Sequence, residues 1–153
     1  MKPWDMKASR ARVADALAKM YKIDRQAQRV YGWERKEVIP DPSMTKDEPM
    51  TVEAMQKLAD QCTDRLGIKP VTVIYEEARY RPGARFYHRE IMVGPKSRQP
   101  WAILHEIAHV AAMSPYHWGA WQKKYFELLR AFGGFSNARL LKSWNKIVKG
   151  QEV

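Results

Sequence analysis

Trp101-Ala-Ile-Leu-His-Glu-Ile-Ala-His-Val-Ala-Ala-Met113 decides how the rest of this chain is read. Within it His105, Glu106 and His109 spell H-E-x-x-H. On a helix, residues four apart lie one above the other on the same face. Both imidazoles can therefore grip one ion, with Glu106 about 100° round the axis from His105. Two imidazoles on a metal with a carboxylate beside them are the parts needed to activate water.

The neighbours of the motif argue for a buried helix. Leu104, Ile107, Ala108 and Ala111 form one apolar face, and Ile103 and Val110 widen it. Away from the His face the segment is apolar almost all round, as in a helix inside a core. Polar groups turned into such surroundings are costly without a partner, and a metal is one. A zinc ion that does chemistry usually takes three protein ligands. The chain has four histidines, and three of them lie between 105 and 117. His117 is the preferred third ligand, because Ser114-Pro115 breaks the helix and lets the chain turn back. Glu127, eighteen residues beyond His109, is the alternative. His88 falls in a strand region and is read as structural.

At 153 residues the chain is long enough for one domain with a real core. Hydrophobic residues at 45% and charged residues at 29% are ordinary for a globular protein, which argues against a disordered or fibrous chain. No apolar run approaches the roughly 18 residues of a membrane span, and no apolar signal segment follows Met1. Cys62 is the single cysteine, so no internal disulfide is possible; a reducing, cytoplasmic setting is expected.

The net charge is +10, which favours acidic partners, nucleic acid first among them. Residues 1–39 carry ten basic against five acidic side chains, whereas residues 40–68 carry three against six. No run of five like charges occurs, so the excess belongs to surfaces rather than to a basic tail.

Along the chain, residues 6–31 read as a long amphipathic helix, with Val13, Leu17, Met20, Ala27 and Tyr31 expected to pack on the core. The opposite face is Arg- and Lys-rich, and Trp4 and Trp33 offer stacking surfaces. Ile39 to Met50 holds three prolines and reads as a linker. It divides the chain into a basic helical extension (residues 1–39) and a core (residues 40–153). Thr51 caps a helix over 52–66 that Gly67 ends. Val71 to Tyr75 is a strand, with further strand over 84–88 and 91–93. After the motif helix two more follow, one rich in Trp and Tyr, one from Asn137 to Val148 capped by Ser136 and stapled by Phe135 on Leu140. The class is α+β: a small, mostly antiparallel sheet packed on the motif helix, with a long N-terminal helix and C-terminal helices.

His-Glu-Ile-Ala-His, a short break, and then His117-Trp-Gly-Ala-Trp121 opening an aromatic-rich helix resemble the compact zincin metallopeptidases of the SprT-like and WLM type. Small HExxH proteins of actinobacteria and their phages are similar in layout. The resemblance covers roughly residues 50–132. It implies a minimal zincin-like core, zinc (Zn2+) held by His105, His109 and His117, and Glu106 as general base in peptide hydrolysis. It implies a protein or peptide substrate lying extended along a strand within 84–93. Trp118 stands where family members often have Gly. Tyr116 is a candidate donor to the oxyanion.

Two other readings use the same residues. One is a zinc hydrolase of another class, an amidase or a nuclease. The other is a non-enzymatic basic module that binds nucleic acid and keeps a structural metal. A peptide deformylase would need a Cys ligand in a Gly-Cys-Leu-Ser-like stretch, and Cys62 lies in Gln-Cys-Thr-Asp.

Overall fold

Pro100 starts the central helix of the computed structural model, which describes residues 6–150. This helix runs Pro100–Ala112, and the other elements are arranged around it. Before it come α1 (Met6–Trp33), α2 (Val52–Leu66) and three strands, β1 (Thr72–Tyr75), β2 (Gly83–Arg85) and β3 (Glu90–Val93). The central helix is α3, followed by α4 (Ala120–Phe132) and α5 (Asn137–Ile147). The architecture is α+β, with α3 packed on the sheet, α2 and α4. Among the described residues, no helix is long and apolar enough to cross a membrane.

Proline at the first helical position is matched to α3, since its missing N–H is unpaired there anyway. Ala102 to Val110 is continuously buried. The helix ends at Met113, which adopts a left-handed conformation (φ 50°) and donates to the carbonyls of His109 and Val110. That bend turns the chain back at Ser114-Pro115.

The three strands form one sheet in the order β1-β3-β2. The expectation of a mostly antiparallel sheet describes β2 and β3, which pair Gly83 with Met92 and Ala84 with Ile91. β1 and β3 instead run parallel, with Val73 opposite Ile91. The mixed sheet follows from order: β2 sits at the edge, so the chain must cross past β3 before returning between its neighbours. Gly94, just after β3, passes so close to Arg79 that a Cβ would lie 2.0 Å from its carbonyl oxygen. α2 is fixed to β1 by Gln56, whose amide donates to Val71 O (2.8 Å) and accepts from Val73 N (2.8 Å). Thr51 accepts from Ala54 N at the start of α2, and Gly67 closes it at φ 67°. Ser136 caps α5 in the same way, with Phe135 and Leu140 both buried beside it.

The proline-rich stretch after α1 is fastened to the start of α3. Met44 is buried, and its carbonyl accepts from Trp101 N (3.2 Å). Lys46 and Gln99 exchange two hydrogen bonds, and Met50 and Arg98 exchange two more.

α1 does not pack along the stripe expected from its periodicity. Val13 and Leu17 are 56% and 59% exposed, whereas Val30 and Trp33 are fully buried. The physical reason is length: 28 residues span about 42 Å at 1.5 Å each, and among the described side chains those of the last turns reach the core. Trp33 lies among Tyr125, Phe126 and Trp144 and donates to Ser143 Oγ (2.8 Å). The surroundings of the Met20 side chain, and Trp4, lie outside the described residues. Beyond Trp33 the helix widens into a π-helical turn, Glu34–Val38, closed by Ile39 N donating to Glu34 O (2.9 Å). Such turns re-aim side chains by inserting one residue, and are frequent at functional sites. Here Glu34 is turned inward.

Candidate metal centre

Three histidines meet behind the C-terminal half of α3. His105 and His109 come from successive turns of one helix face, and His117 comes from the loop between Met113 and Gly119. The Nε2 atom of His117 lies 3.1 Å from Nε2 of His105 and 3.1 Å from Nε2 of His109. All three side chains are buried, and their ligand atoms lie within 4.8 Å of one another. Among the described residues, no other group of His, Cys, Asp and Glu is arranged this way.

The far sides of the rings decide which nitrogens are available. His109 Nδ1 lies 2.7 Å from the carbonyl oxygen of Ser114, which can only accept, so Nδ1 carries the hydrogen. His105 Nδ1 lies 2.7 Å from Glu34 Oε2, and a carboxylate likewise accepts. In their neutral forms both helix imidazoles therefore turn Nε2 lone pairs toward His117. Burial, together with the nearby His105, pushes the pKa of His109 down to about 3 and that of His117 to about 2, so both stay neutral. Burial alone would lower His105 too, but the charge and hydrogen bond of Glu34 outweigh it and raise it.

Nitrogens 2.0–2.1 Å from a single tetrahedral ion stand about 3.3–3.4 Å apart. Separations of 3.1 Å are close to that spacing. Neutral imidazoles are also the donors that zinc and its first-row neighbours prefer. The cluster fits such a metal.

Glu106 is buried on the adjacent face of α3, with Oε1 4.0 Å from His105 Nε2. Burial raises its carboxyl to about 7, against the pull of His105. A cation held by the three imidazoles would draw it down again. Glu106 and His105 both open onto a cleft of about 320 Å³, which Tyr31, Arg35, Tyr80, Arg81 and Trp101 also line.

Of the residues singled out from sequence, His105, His109, His117 and Glu106 are brought together. Glu127 is not: it faces Arg65 at 3.7 Å, away from the histidines. His88 is exposed in a 3-10 turn, Phe86–His88, between β2 and β3. Tyr116 is 42% exposed and stacks on Trp118 rather than lining the cleft.

Glu34, Tyr31, Trp121 and Tyr125 surround the centre, and none of them is assigned a role there from the sequence. Glu34, 71 residues before His105, is buried beside it and also accepts from Tyr125 Oη (2.5 Å). Tyr31 covers the histidines, with its ring 5.0 Å from that of His117. Trp121 packs on all three imidazoles and donates to the carbonyl of His105 (3.1 Å). A signal for Glu34 exists: it falls in phase with Val30, Trp33 and Val38, the buried stripe at the end of α1. Its charged neighbours Arg35, Lys36 and Glu37 make the stretch read as solvated.

No family model and no curated protein sequence matches the chain. Among solved structures it is similar to the metallopeptidase zymogen of Pyrococcus abyssi abylysin, at 20% sequence identity and a TM-score of 0.45, over 65% of this chain and 94% of that one.

Proposed function

We propose that this protein is a zinc-dependent metallopeptidase in which His105, His109 and His117 hold the ion and Glu106 is the general base. The observation that carries the reading is the convergence of three buried imidazoles beside a buried carboxyl that opens on a cleft. A structural zinc takes four protein ligands, whereas a catalytic one takes three and leaves a position open. Among the described residues the donor cluster stops at three.

Bound there, the ion would supply Lewis acidity to the reaction. The chain's own residues do the rest. Glu106 accepts the proton of the attacking water as its oxygen bonds to the peptide carbon. It then delivers that proton to the nitrogen as the C–N bond breaks. Glu34 and the Ser114 carbonyl hold His105 and His109 in the tautomer that leaves Nε2 free. A substrate strand would lie along β2, the edge strand near α3, through main-chain pairing.

Nucleic-acid-associated proteins are candidate substrates. Arg10, Arg12, Lys19 and Arg29 are exposed along α1, and a basic rod of this kind is attracted to phosphate backbones.

The test is metal analysis joined to an assay on a general protein substrate, with and without DNA. One zinc per chain is expected in the wild type and in Glu106→Gln, with hydrolysis only in the wild type. Full turnover by Glu106→Gln would remove the role given to that residue.

A further inference from the structure

The cleft in front of His105 and Glu106 carries two arginines that form no ion pair among the described residues. Arg35 enters it from the π-helical turn and Arg81 from the connection between β1 and β2. Arg65, Arg79, Arg85 and Arg139 are each ion-paired elsewhere, but among the described residues neither Arg35 nor Arg81 meets a carboxylate. The acids that face the cleft are Glu34 and Glu106. Glu34 accepts hydrogen bonds from His105 and Tyr125, and no ion pair joins it to Arg35 or Arg81. Glu106 sits within the field of Arg79 as well as His105. Tyr80 and Trp101 give the cleft flat apolar surfaces, and about 320 Å³ is the scale of a small ligand or a few residues of a peptide. The result is a concave, partly apolar entrance in which two arginines without an ion pair stand near the reacting groups.

We propose that this cleft selects peptides with an Asp or Glu side chain close to the bond that is cut, recognised by Arg35 and Arg81. Guanidinium groups present a planar fork that matches a carboxylate. Both arginines are exposed, so each contact has the modest strength of a surface ion pair. The inference rests on the peptidase reading for the word cut, but not for the recognition of the acidic side chain.

The zinc-loaded full chain is incubated with a random decapeptide pool blocked at both termini, and the cut sites are read by mass spectrometry. Asp and Glu should be enriched about fivefold over Asn and Gln within two residues of the cut. The double variant Arg35→Glu/Arg81→Glu should turn the preference toward Lys and Arg, and its zinc content reports that the neighbouring histidines are intact. A second arm uses Glu106→Gln and a pair of rhodamine-labelled blocked peptides that differ by one Glu-to-Gln change, titrated by fluorescence anisotropy. The Glu peptide should bind about fivefold tighter, and the Arg changes should abolish the difference. Unbiased cut sites with equal binding would overturn the selectivity while leaving the peptidase standing. Selective binding without cleavage of any peptide would support the acidic recognition and sink the hydrolysis.

Discussion

Glu34 Oε2 lies 2.7 Å from His105 Nδ1, so a residue of the N-terminal helical segment holds the first imidazole of a motif 71 residues away. The same oxygen takes the Tyr125 hydroxyl, which ties that segment to α4 as well. Partners of this kind fix the ring's orientation and tautomer, and their loss typically costs 10–100-fold in metal affinity. Glu34→Ala should therefore weaken zinc binding about 10–100-fold in competition with a chelating dye. Tyr125→Phe should weaken it less, because His105 keeps its carboxylate. Wild-type affinity in Glu34→Ala would show that packing alone orients His105.

His117 is brought to the centre by a loop, not by a helix. His117→Ala should lose bound zinc while leaving far-ultraviolet circular dichroism unchanged, since the α3 ladder does not depend on it. If zinc content stays at one per chain, the third ligand lies elsewhere.

The metal should also stabilise the fold, because a ligand that binds only the native state adds free energy by mass action. At free zinc one hundredfold above Kd the gain is about 2.7 kcal/mol. Thermal unfolding in the presence of a chelator should therefore begin several degrees lower than with zinc. Identical melting curves would argue against a native-state zinc site.

Met113 occupies the left-handed region at the end of α3 with a side chain that glycine lacks. That conformation costs a non-glycine residue about 1–2 kcal/mol. Met113→Gly should raise stability to denaturant by about 1 kcal/mol, offset in part by the greater freedom of the unfolded chain. A loss of stability would mean that the half-exposed Met113 side chain contributes more than its backbone costs.

Cys62 is fully buried in α2, and burial pushes its thiol up to about 12. The thiolate is the reactive form, so the native protein should resist a disulfide exchange reagent at pH 8 and release one equivalent on unfolding in guanidinium. Rapid reaction of the folded protein would show that α2 opens readily.

Much of the core was legible from local pattern. Thr51 and Gly67 bracket α2, Ser136 starts α5, and Pro100 starts α3, because caps and breakers act on the backbone within a few residues. The sheet was legible as strands but not as a topology. Periodicity reports which residues extend, whereas the insertion of β3 between β1 and β2 depends on long-range pairing. α1 shows the opposite failure, since Val13 and Leu17 have helical spacing and yet stay exposed.

By itself the sequence determined the arrangement at the helix: a spacing of four places His105 and His109 on one face, and an apolar surround commits that face to the interior. Only the tertiary structure decided what completes it. His117 rather than Glu127 meets the two imidazoles because the turn at Met113 reverses the chain. Glu34 shares the phase of the buried Val30 and Trp33, but only the tertiary structure decides that its partner there is His105. Both depend on where distant segments are held against each other, and no local periodicity records that.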